Sequence, residues 1–542
     1  MAPPSYISYN GGDNQNGGAA LAPKKSSGGL LLDPEQLRRQ GHQVIDFIAD
    51  YYSRMADYPV HPSVRPGFLR KKLPASTPLR PEEPAADDAF ATALRDVRDL
   101  ILPGMTHWQS PRHFAHFPAS SSTVGALGEA LTAGINVVPF TWAASPAATE
   151  LEMVVVDWLG KAMHLPESLL FCGGGGGTLL GTSCEAILCA LVAARDRKLA
   201  DVGAGRLGDL VVYCSDQTHF AFRKAAHIAG IRRDRCRAIP TYRDTMFALS
   251  PADLRAAMKA DVDAGLVPLF LCATVGTTQT TAVDPIRELC AVVAAEAQHG
   301  GVWVHVDAAY AGAALVCPEF RRAIDGAEAV DSFSMNAHKW LLANNDCCAL
   351  WVRSPPLLVA ALGTEPEYIL KASAAAAAAA ADDDGHDGDV VDYKDWSVML
   401  TRRFRALKLW LVLRCYGVEG LRDHVRAHVR MAELFESFVK GDARFEVTVE
   451  RTFALVCFRL RPPERLGGEK AANDLNRRLL EDVNATAAGP YMSSAKVAGV
   501  YMLRCAIGST LTEERHVREA WKVVQERAAS LLRKMEKVTA AA

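Results

Sequence analysis

Four residues of complementary chemistry stand at the ends of short apolar runs. His219 follows LVVYCSDQT, Thr274 closes LFLCAT, Asp307 closes VWVHV, and Lys339 lies just beyond FSMNAH. In open parallel sheets ligands bind beyond the carboxyl ends of the strands, so four such residues at four predicted strand ends mark a site better than any one alone. Taken singly, the aspartate reads as a helix N-cap, the lysine as a solvated side chain and the histidine as structural. Lys339 is unusual in its company, between His338 and Trp340 and ahead of Leu341-Leu342. Burial among such neighbours lowers a lysine's proton affinity and frees the neutral amine as a nucleophile.

An anion site is also written into the chain. Gly173 to Gly177 read as a flexible loop, after which Gly181-Thr182-Ser183-Cys184 open an amphipathic helix. Backbone N–H groups at a helix start bind anions, and hydroxyls add donors. A nucleotide P-loop requires Gly-Lys-Ser/Thr at that helix start, which is missing here. A metal site from His305, Asp307 and His338 is disfavoured, because His305 lies inside an apolar strand and no cysteine or second acid completes a ligand set. No metal is expected.

The elements that position these residues follow from the apolar pattern. The runs 209–215, 267–274, 302–307 and 329–334 alternate with helical stretches, which predicts a mostly parallel sheet covered on both faces, the doubly wound α/β class. Ahead of them, Asp33-Pro34-Glu35-Gln36 is a helix start, and residues 31–115 form a helical segment too thin for its own core. Residues 1–30, rich in Gly, Asn and Ser, read as a disordered tail. Eight alanines from Ala374 followed by DDDGHDGD read as a mobile loop within a cofactor domain spanning 116–415, and RRFRALKLWLVLRCYG as a strong helix. Residues 416–542, with the strand-like runs FALVCFRL and VYMLRCAI, read as a smaller α/β domain.

Composition adds boundaries. A net charge of −2 over 542 residues leaves no electrostatic footprint for nucleic acid. Thirteen scattered cysteines without a CxxC pair read as reduced thiols of a cytoplasmic protein. The first residues carry no signal-peptide pattern, and no apolar run reaches the roughly 18 residues of a membrane helix.

At HVDAAYAG (305–312) and NAHKWLL (336–342) the chain resembles the group II pyridoxal-phosphate decarboxylases, and most of all the plant aromatic L-amino-acid decarboxylases. The likeness extends through THWQSP, FTWAASPAATELE, GTSCEAI, SDQTHF, ATVGTT, DYKDW and RRFRALKLW. It implies an aspartate-aminotransferase-like fold, pyridoxal 5'-phosphate as cofactor, and an intertwined homodimer with shared sites. It implies that Lys339 links covalently to the cofactor aldehyde, Asp307 pairs with the pyridine nitrogen and His219 stacks on the ring. Ser183, Cys184, Asn336 and His338 would hold the phosphate, while Thr274 and Ala309 line the ring. Tyr368 would protonate the substrate carbon, with residues 372–390 as a lid. The substrate pocket would comprise Trp108, Phe117, Pro118, Val138, Phe140 and Thr401, with His219 and Tyr368. In plant relatives a hydroxyl near position 401 accompanies phenolic substrates, so Thr401 points to tyrosine, DOPA or phenylalanine ahead of tryptophan. An aromatic acetaldehyde synthase on the same scaffold is the nearest alternative. A nucleotide-binding module using the five glycines is the remote one.

Overall fold

The computed structural model describes residues 31–79, 89–296, 301–364, 390–462 and 467–541. Tyr368, the 1–30 tail and nearly all of the 372–390 segment lie outside the described residues. The chain divides into two units, residues 1–54 with 65–104, and residues 55–64 with 105–542. In the first, α1 (Pro34–Ser53) begins as its sequence dictates: Asp33 caps it, accepting from the Gln36 amide at 2.8 Å, with proline in the first turn. None of its side chains is buried. A second helix, α2 (Ala89–Asp96), follows.

The second unit is built on a seven-stranded sheet. In chain order it contains β1 (His113–Phe114), α3 (Thr123–Ile135), α4 (Pro146–Ala162), β2 (Gly176–Leu180), α5 (Ser183–Val202), β3 (Leu210–Ser215), α6 (Phe220–Ile228), β4 (Cys236–Ile239), α7 (Pro251–Asp263), β5 (Val267–Thr274), α8 (Ile286–Glu296), β6 (Trp303–Asp307), β7 (Ser332–Asn336), α9 (Ala337–Trp340), β8 (Cys348–Val352) and α10 (Pro355–Leu362). The large sheet runs β2-β8-β7-β6-β5-β3-β4, parallel from β7 to β4 and antiparallel on both sides of β8. β5 is buried along its whole length. Its alternate residues feed two cores, Leu271 and Ala273 on one face, Phe270 and Cys272 on the other. That is why these strands read as unbroken apolar runs.

After the large sheet come α11 (Arg405–Gly441), β9 (Phe445–Val447), β10 (Leu455–Leu460), α12 (Gly468–Asn484), β11 (Tyr491–Val497), β12 (Val500–Ala506) and α13 (Glu514–Ala541). α11 is kinked at Gly417, whose φ of 63° favours glycine. The last four strands and β1 form a second, five-stranded sheet, ordered β1-β11-β12-β10-β9. β1, from far upstream, pairs parallel with β11 and so fixes the stretch that leads to Phe117.

Two local expectations need correction. The run expected to be a strand from Ala329 pairs only from Ser332, because residues 327–329 form a short 3₁₀ turn and Asp331 turns its carboxylate back to the Val304 amide (2.8 Å). Of the five glycines, Gly173 to Gly175 lie in a turn as expected, and the last two depart from the loop reading. Gly176 and Gly177 belong to β2, and a Cβ on Gly177 would overlap Val156 Cγ1 of α4 and lie 2.9 Å from the Leu350 carbonyl. They let a helix and a strand approach, with no role in an anion cradle.

Candidate active site

The strand ends converge on a cavity of about 230 Å³ lined by residues from the carboxyl ends of β3, β5, β6 and β7 and from the N-terminus of α5. Every described residue expected to act in catalysis or hold the cofactor is on its wall: Lys339, Asp307, His219, Thr274, Ala309, Ser183, Cys184, Asn336 and His338. Thr182, Ala221, Gly276, Thr278 and Tyr310 also line it, beyond the sequence expectation. Tyr310 had a signal in the sequence, being part of the run that follows Asp307. Thr278 had a fainter one, two residues after Gly276.

Lys339 is placed by a single helical turn, α9, directly after β7. Its carbonyl accepts from the Ser120 amide (3.1 Å). Burial lowers its pKa, and the nearby Asp307 carboxylate pulls the other way. The balance leaves a reactive neutral amine more accessible than on an exposed lysine. Asp307 ends β6, where its Oδ1 accepts from the Ala309 amide at 3.0 Å and its carbonyl from the Val275 amide at 3.0 Å. His219 caps α6 with its ring, Nδ1 accepting from the Ala221 amide at 3.2 Å, and burial depresses its pKa with Lys339 adding to the effect. This bond holds the ring at the cavity wall.

The opposite end suits an anion. The α5 N-terminus opens on the cavity, and Ser183 Oγ bonds Asn336 Oδ1 at 3.0 Å. The Cys347 amide donates to His338 Nδ1 (2.9 Å), and burial drives this imidazole down to about 4. The same Nδ1 lies 3.0 Å from the Cys347 carbonyl, so both backbone groups of Cys347 hold the neutral ring in place. Thr274 Oγ1 is buried with no hydrogen-bond partner among the described residues, although it lines the cavity. An orphaned buried hydroxyl on a cavity wall is what a bound polar molecule leaves behind when it is taken away. A carboxylate for a protonated ring nitrogen, a lysine for an aldehyde and a helix N-terminus for a phosphate fit pyridoxal phosphate.

His305 does not belong to the site. Its ring nitrogens are taken by Ser332 Oγ (2.8 Å) and Ser334 Oγ (3.1 Å). Of the residues expected around a substrate, Phe117 lines the cavity and stacks on Tyr310, ring centroids 3.6 Å apart. Pro118 packs where a Cβ on Gly508 would go. Trp108, Val138, Phe140 and Thr401 are not brought to the cavity by this chain. Trp108 stacks on His113 and His116, Phe140 is half-buried, and Val138 and Thr401 are exposed. The neighbour of Thr401, Arg402, is instead fully buried on Glu152 (2.5 Å).

Two supports of the cavity had no clear mark in the sequence. Arg504 of β12 donates to the Thr278 carbonyl (2.7 Å) and lies over the Phe117 ring. Asp284 is wholly buried, accepting from the Thr274 amide (2.8 Å) and the Leu249 amide (2.7 Å), and burial raises its carboxyl to about 6. An asparagine there would turn an NH₂ toward one of these two amides. Asp284→Asn is expected to cost about 1–3 kcal/mol of stability and to reduce retained cofactor, measured by denaturant unfolding and by bound pyridoxal phosphate. Unchanged values for both would remove Asp284 from this role.

A mostly parallel sheet with a lysine one turn beyond β7, a carboxylate at the end of β6 and an anion-ready helix facing both defines a lysine-anchored pyridoxal-phosphate enzyme. The chain belongs to the pyridoxal-dependent decarboxylases: the family profile described as "Pyridoxal-dependent decarboxylase conserved domain" matches residues 66–461. It is a pyridoxal-phosphate-dependent carboxy-lyase. It is 76% identical to a tyrosine decarboxylase of Oryza sativa subsp. japonica, over 98% of this chain and all of that one. It is 53% identical to a phenylacetaldehyde synthase of a Rosa hybrid cultivar, over 92% of this chain and 95% of that one. The crystal structure of Oryza sativa TDC with PLP and tryptamine superposes with a TM-score of 0.86 at 44% identity, covering 93% of this chain and all of the other.

Proposed function

We propose that the protein decarboxylates L-tyrosine, and L-DOPA with it, to the corresponding amine and carbon dioxide. The observation that carries this reading is the cavity in which Lys339, Asp307 and His219 face an anion-binding helix start, in a chain 76% identical to a tyrosine decarboxylase. When bound, pyridoxal phosphate takes up the electron pair left as the carboxylate departs. Asp307 holds a proton on the ring nitrogen, Lys339 supplies the amine that anchors the aldehyde, and the pinned His219 ring covers one face. Ser183, Cys184, Asn336 and His338 orient the phosphate, and Thr274 gives its free hydroxyl to the bound group. Tyr368 returns a proton to the substrate α-carbon. Thr401 favours the phenolic substrate over the indole.

The protein works as a homodimer in this reading. Leu127, Leu131 and Ile135 on α3 are exposed, as are Val138 and the run Val398-Met399-Leu400. Covering such apolar surface is what a subunit contact does. Trp108, Val138, Phe140 and Thr401 then complete a substrate pocket between two copies. Residues 31–115 serve as the dimerisation segment, 116–415 as the cofactor domain and 416–542 as the small domain, the last boundary falling beside the Gly417 kink. A cytoplasmic location accords with thirteen free cysteines. Among the described residues no helix is long and apolar enough to cross a membrane.

The test is product analysis. Protein supplied with pyridoxal phosphate is given tyrosine, DOPA, phenylalanine and tryptophan separately, and carbon dioxide, amine, aldehyde and peroxide are measured. Equal carbon dioxide and amine without peroxide is expected, fastest with the phenols. Tyr368→Phe is expected to divert product to aldehyde with peroxide and ammonia. A preference for tryptophan would overturn the substrate. Aldehyde from the unaltered protein would overturn the proton-donor role of Tyr368 and favour the synthase reading.

A further inference from the structure

Four cations stand in the motif RRFRALKLW (402–410), and none of them lines the cavity. Arg403 and Lys408 pair with Glu129, and Arg405 with Asp346 (3.0 Å). Arg402 differs in that both members of its pair are sealed from water. Its side chain is 2% exposed, and that of its partner Glu152, on α4, is 1% exposed.

The Arg402 guanidinium gathers separate stretches of chain. Nη2 donates to Glu152 Oε1 (2.5 Å) and, on β2, to Thr178 Oγ1 (3.0 Å) and the Leu179 carbonyl (3.1 Å). Nη1 donates to the Pro139 carbonyl (3.2 Å). Glu152 Oε1 braces the same place from the other side, accepting from the Thr178 hydroxyl (3.0 Å) and the Leu179 amide (2.8 Å). The Tyr393 ring covers the guanidinium at 4.6 Å, and its hydroxyl donates to the Gly177 carbonyl at 3.0 Å. Beside it the Lys394 amide donates to the Phe140 carbonyl (2.8 Å), and Asp392 Oδ1 accepts from the Trp142 amide (2.9 Å).

Three of the residues placed around the substrate are attached to this hub. Val138 and Phe140 flank Pro139, and Thr401 precedes Arg402. A buried ion pair is a poor source of stability, because desolvation cancels much of the attraction. What a planar fork supplies is direction, holding several acceptors at fixed angles as a lysine cannot. Here the acceptors belong to the 138–140 stretch, to α4 and to β2, an edge strand of the large sheet. The stretch that carries Thr401 is thereby set at a fixed distance from the one that carries Val138 and Phe140.

We propose, on the reading that these three residues border the substrate, that Arg402 braced by Glu152 is a positioning residue for substrate selection. It fixes Thr401 relative to Val138 and Phe140 at the spacing that admits a phenol ahead of an indole. Misplacing a substrate-holding group by about 1 Å costs on the order of a hundredfold in rate. A site that hydrogen-bonds a substrate hydroxyl discriminates only while its own groups stay in register.

The experiment uses the full chain loaded with pyridoxal phosphate. It measures kcat and KM with L-tyrosine and L-tryptophan, the thermal midpoint, and the visible absorbance of the lysine-bound cofactor. Arg402→Lys keeps a charge for Glu152 and loses the fork onto Pro139 and Leu179. It is expected to raise KM for tyrosine about tenfold with kcat within about twofold. The tyrosine-to-tryptophan ratio in kcat/KM should fall by about the same factor, with the cofactor absorbance unchanged. The paired variant Arg402→Met, Glu152→Leu removes both charges together, a change that buried sites often tolerate. It should keep a near-normal midpoint and still lose the preference. A preference kept in either folded variant would overturn the proposal. So would an equal fall in kcat for both substrates with altered cofactor absorbance, or unfolding of both variants, which would assign the pair to stability alone. Thr401→Gly, with Arg402 intact, separates the two layers. A shifted ratio there beside an unshifted one in Arg402→Lys overturns the positioning role alone, whereas an unshifted ratio in Thr401→Gly overturns the substrate wall and the proposal with it.

Discussion

Replacing Asp307 with alanine is expected to slow decarboxylation roughly 10²–10⁴-fold while leaving the protein folded. Asp307 is 4% exposed, at the end of a strand buried throughout. Among the described residues its carboxylate makes one hydrogen bond, from the Ala309 amide. The carboxylate is therefore kept for what enters the cavity. Stripping a buried charge of its partner costs on the order of 3–5 kcal/mol, and if the bound ring nitrogen loses its proton that cost falls on the step that develops negative charge. Asp307→Asn sharpens the test, because it keeps an acceptor for the Ala309 amide and removes only the charge. Both variants should fall by similar factors in kcat, with near-normal unfolding curves. Cofactor content is read from absorbance in the same samples, to separate lost binding from lost chemistry. Near-normal turnover with full cofactor in either variant would show that the charge is not needed.

The site was legible from the sequence to an unequal degree, for reasons that lie in distance along the chain. Lys339, Asp307, Thr274 and His219 were visible because each follows a strand buried on both faces, and such strands announce themselves as apolar runs. The α5 N-terminus was visible through its hydroxyls, while two of the five glycines before it were misread. Glycine run together looks like a loop, but here Gly177 is demanded by the close approach of Val156 and Leu350. Arg504 and Asp284 could not be found by pattern. Arg504 reaches the Thr278 carbonyl from 226 positions away, and a buried aspartate that binds two amides looks in sequence like any surface acid. Trp108, Val138, Phe140 and Thr401 show a different limit. The resemblance placed them around a substrate, yet within one chain they stay off the cavity wall, as residues that function across a subunit boundary would.

Acidification is expected to unfold the protein steeply just below neutrality. His113, His305, His338 and His428 are each depressed by burial to about 4, against about 6.5 in an unfolded chain. Between those values the unfolded chain binds protons that the folded one refuses, so stability is present above pH 6.5 and is lost as pH falls toward 4. Asp284 acts in the opposite sense: held at about 6 when folded, it takes up a proton that the unfolded chain declines over much of the same window. His424, lowered further still by burial, acts in the same sense as the histidines; among the other five groups, four histidines against one aspartate leave a net of three protons, or about 4 kcal/mol for each pH unit. That is a large share of a typical total stability of about 5–15 kcal/mol. The thermal midpoint of the cofactor-free protein should be nearly flat from pH 8 to 6.5 and then drop sharply. His428 ties this to the active site, because its Nδ1 accepts from Trp340 Nε1 (2.9 Å), beside Lys339, while Nε2 meets the Ser509 carbonyl at 3.2 Å. His428→Gln keeps an acceptor and a donor for those two partners and removes one titrating ring. Its stability should fall less steeply by about 1.4 kcal/mol per pH unit. A midpoint that holds to pH 5 in the unaltered protein would mean these rings are reached by water without unfolding, and that burial does not govern them.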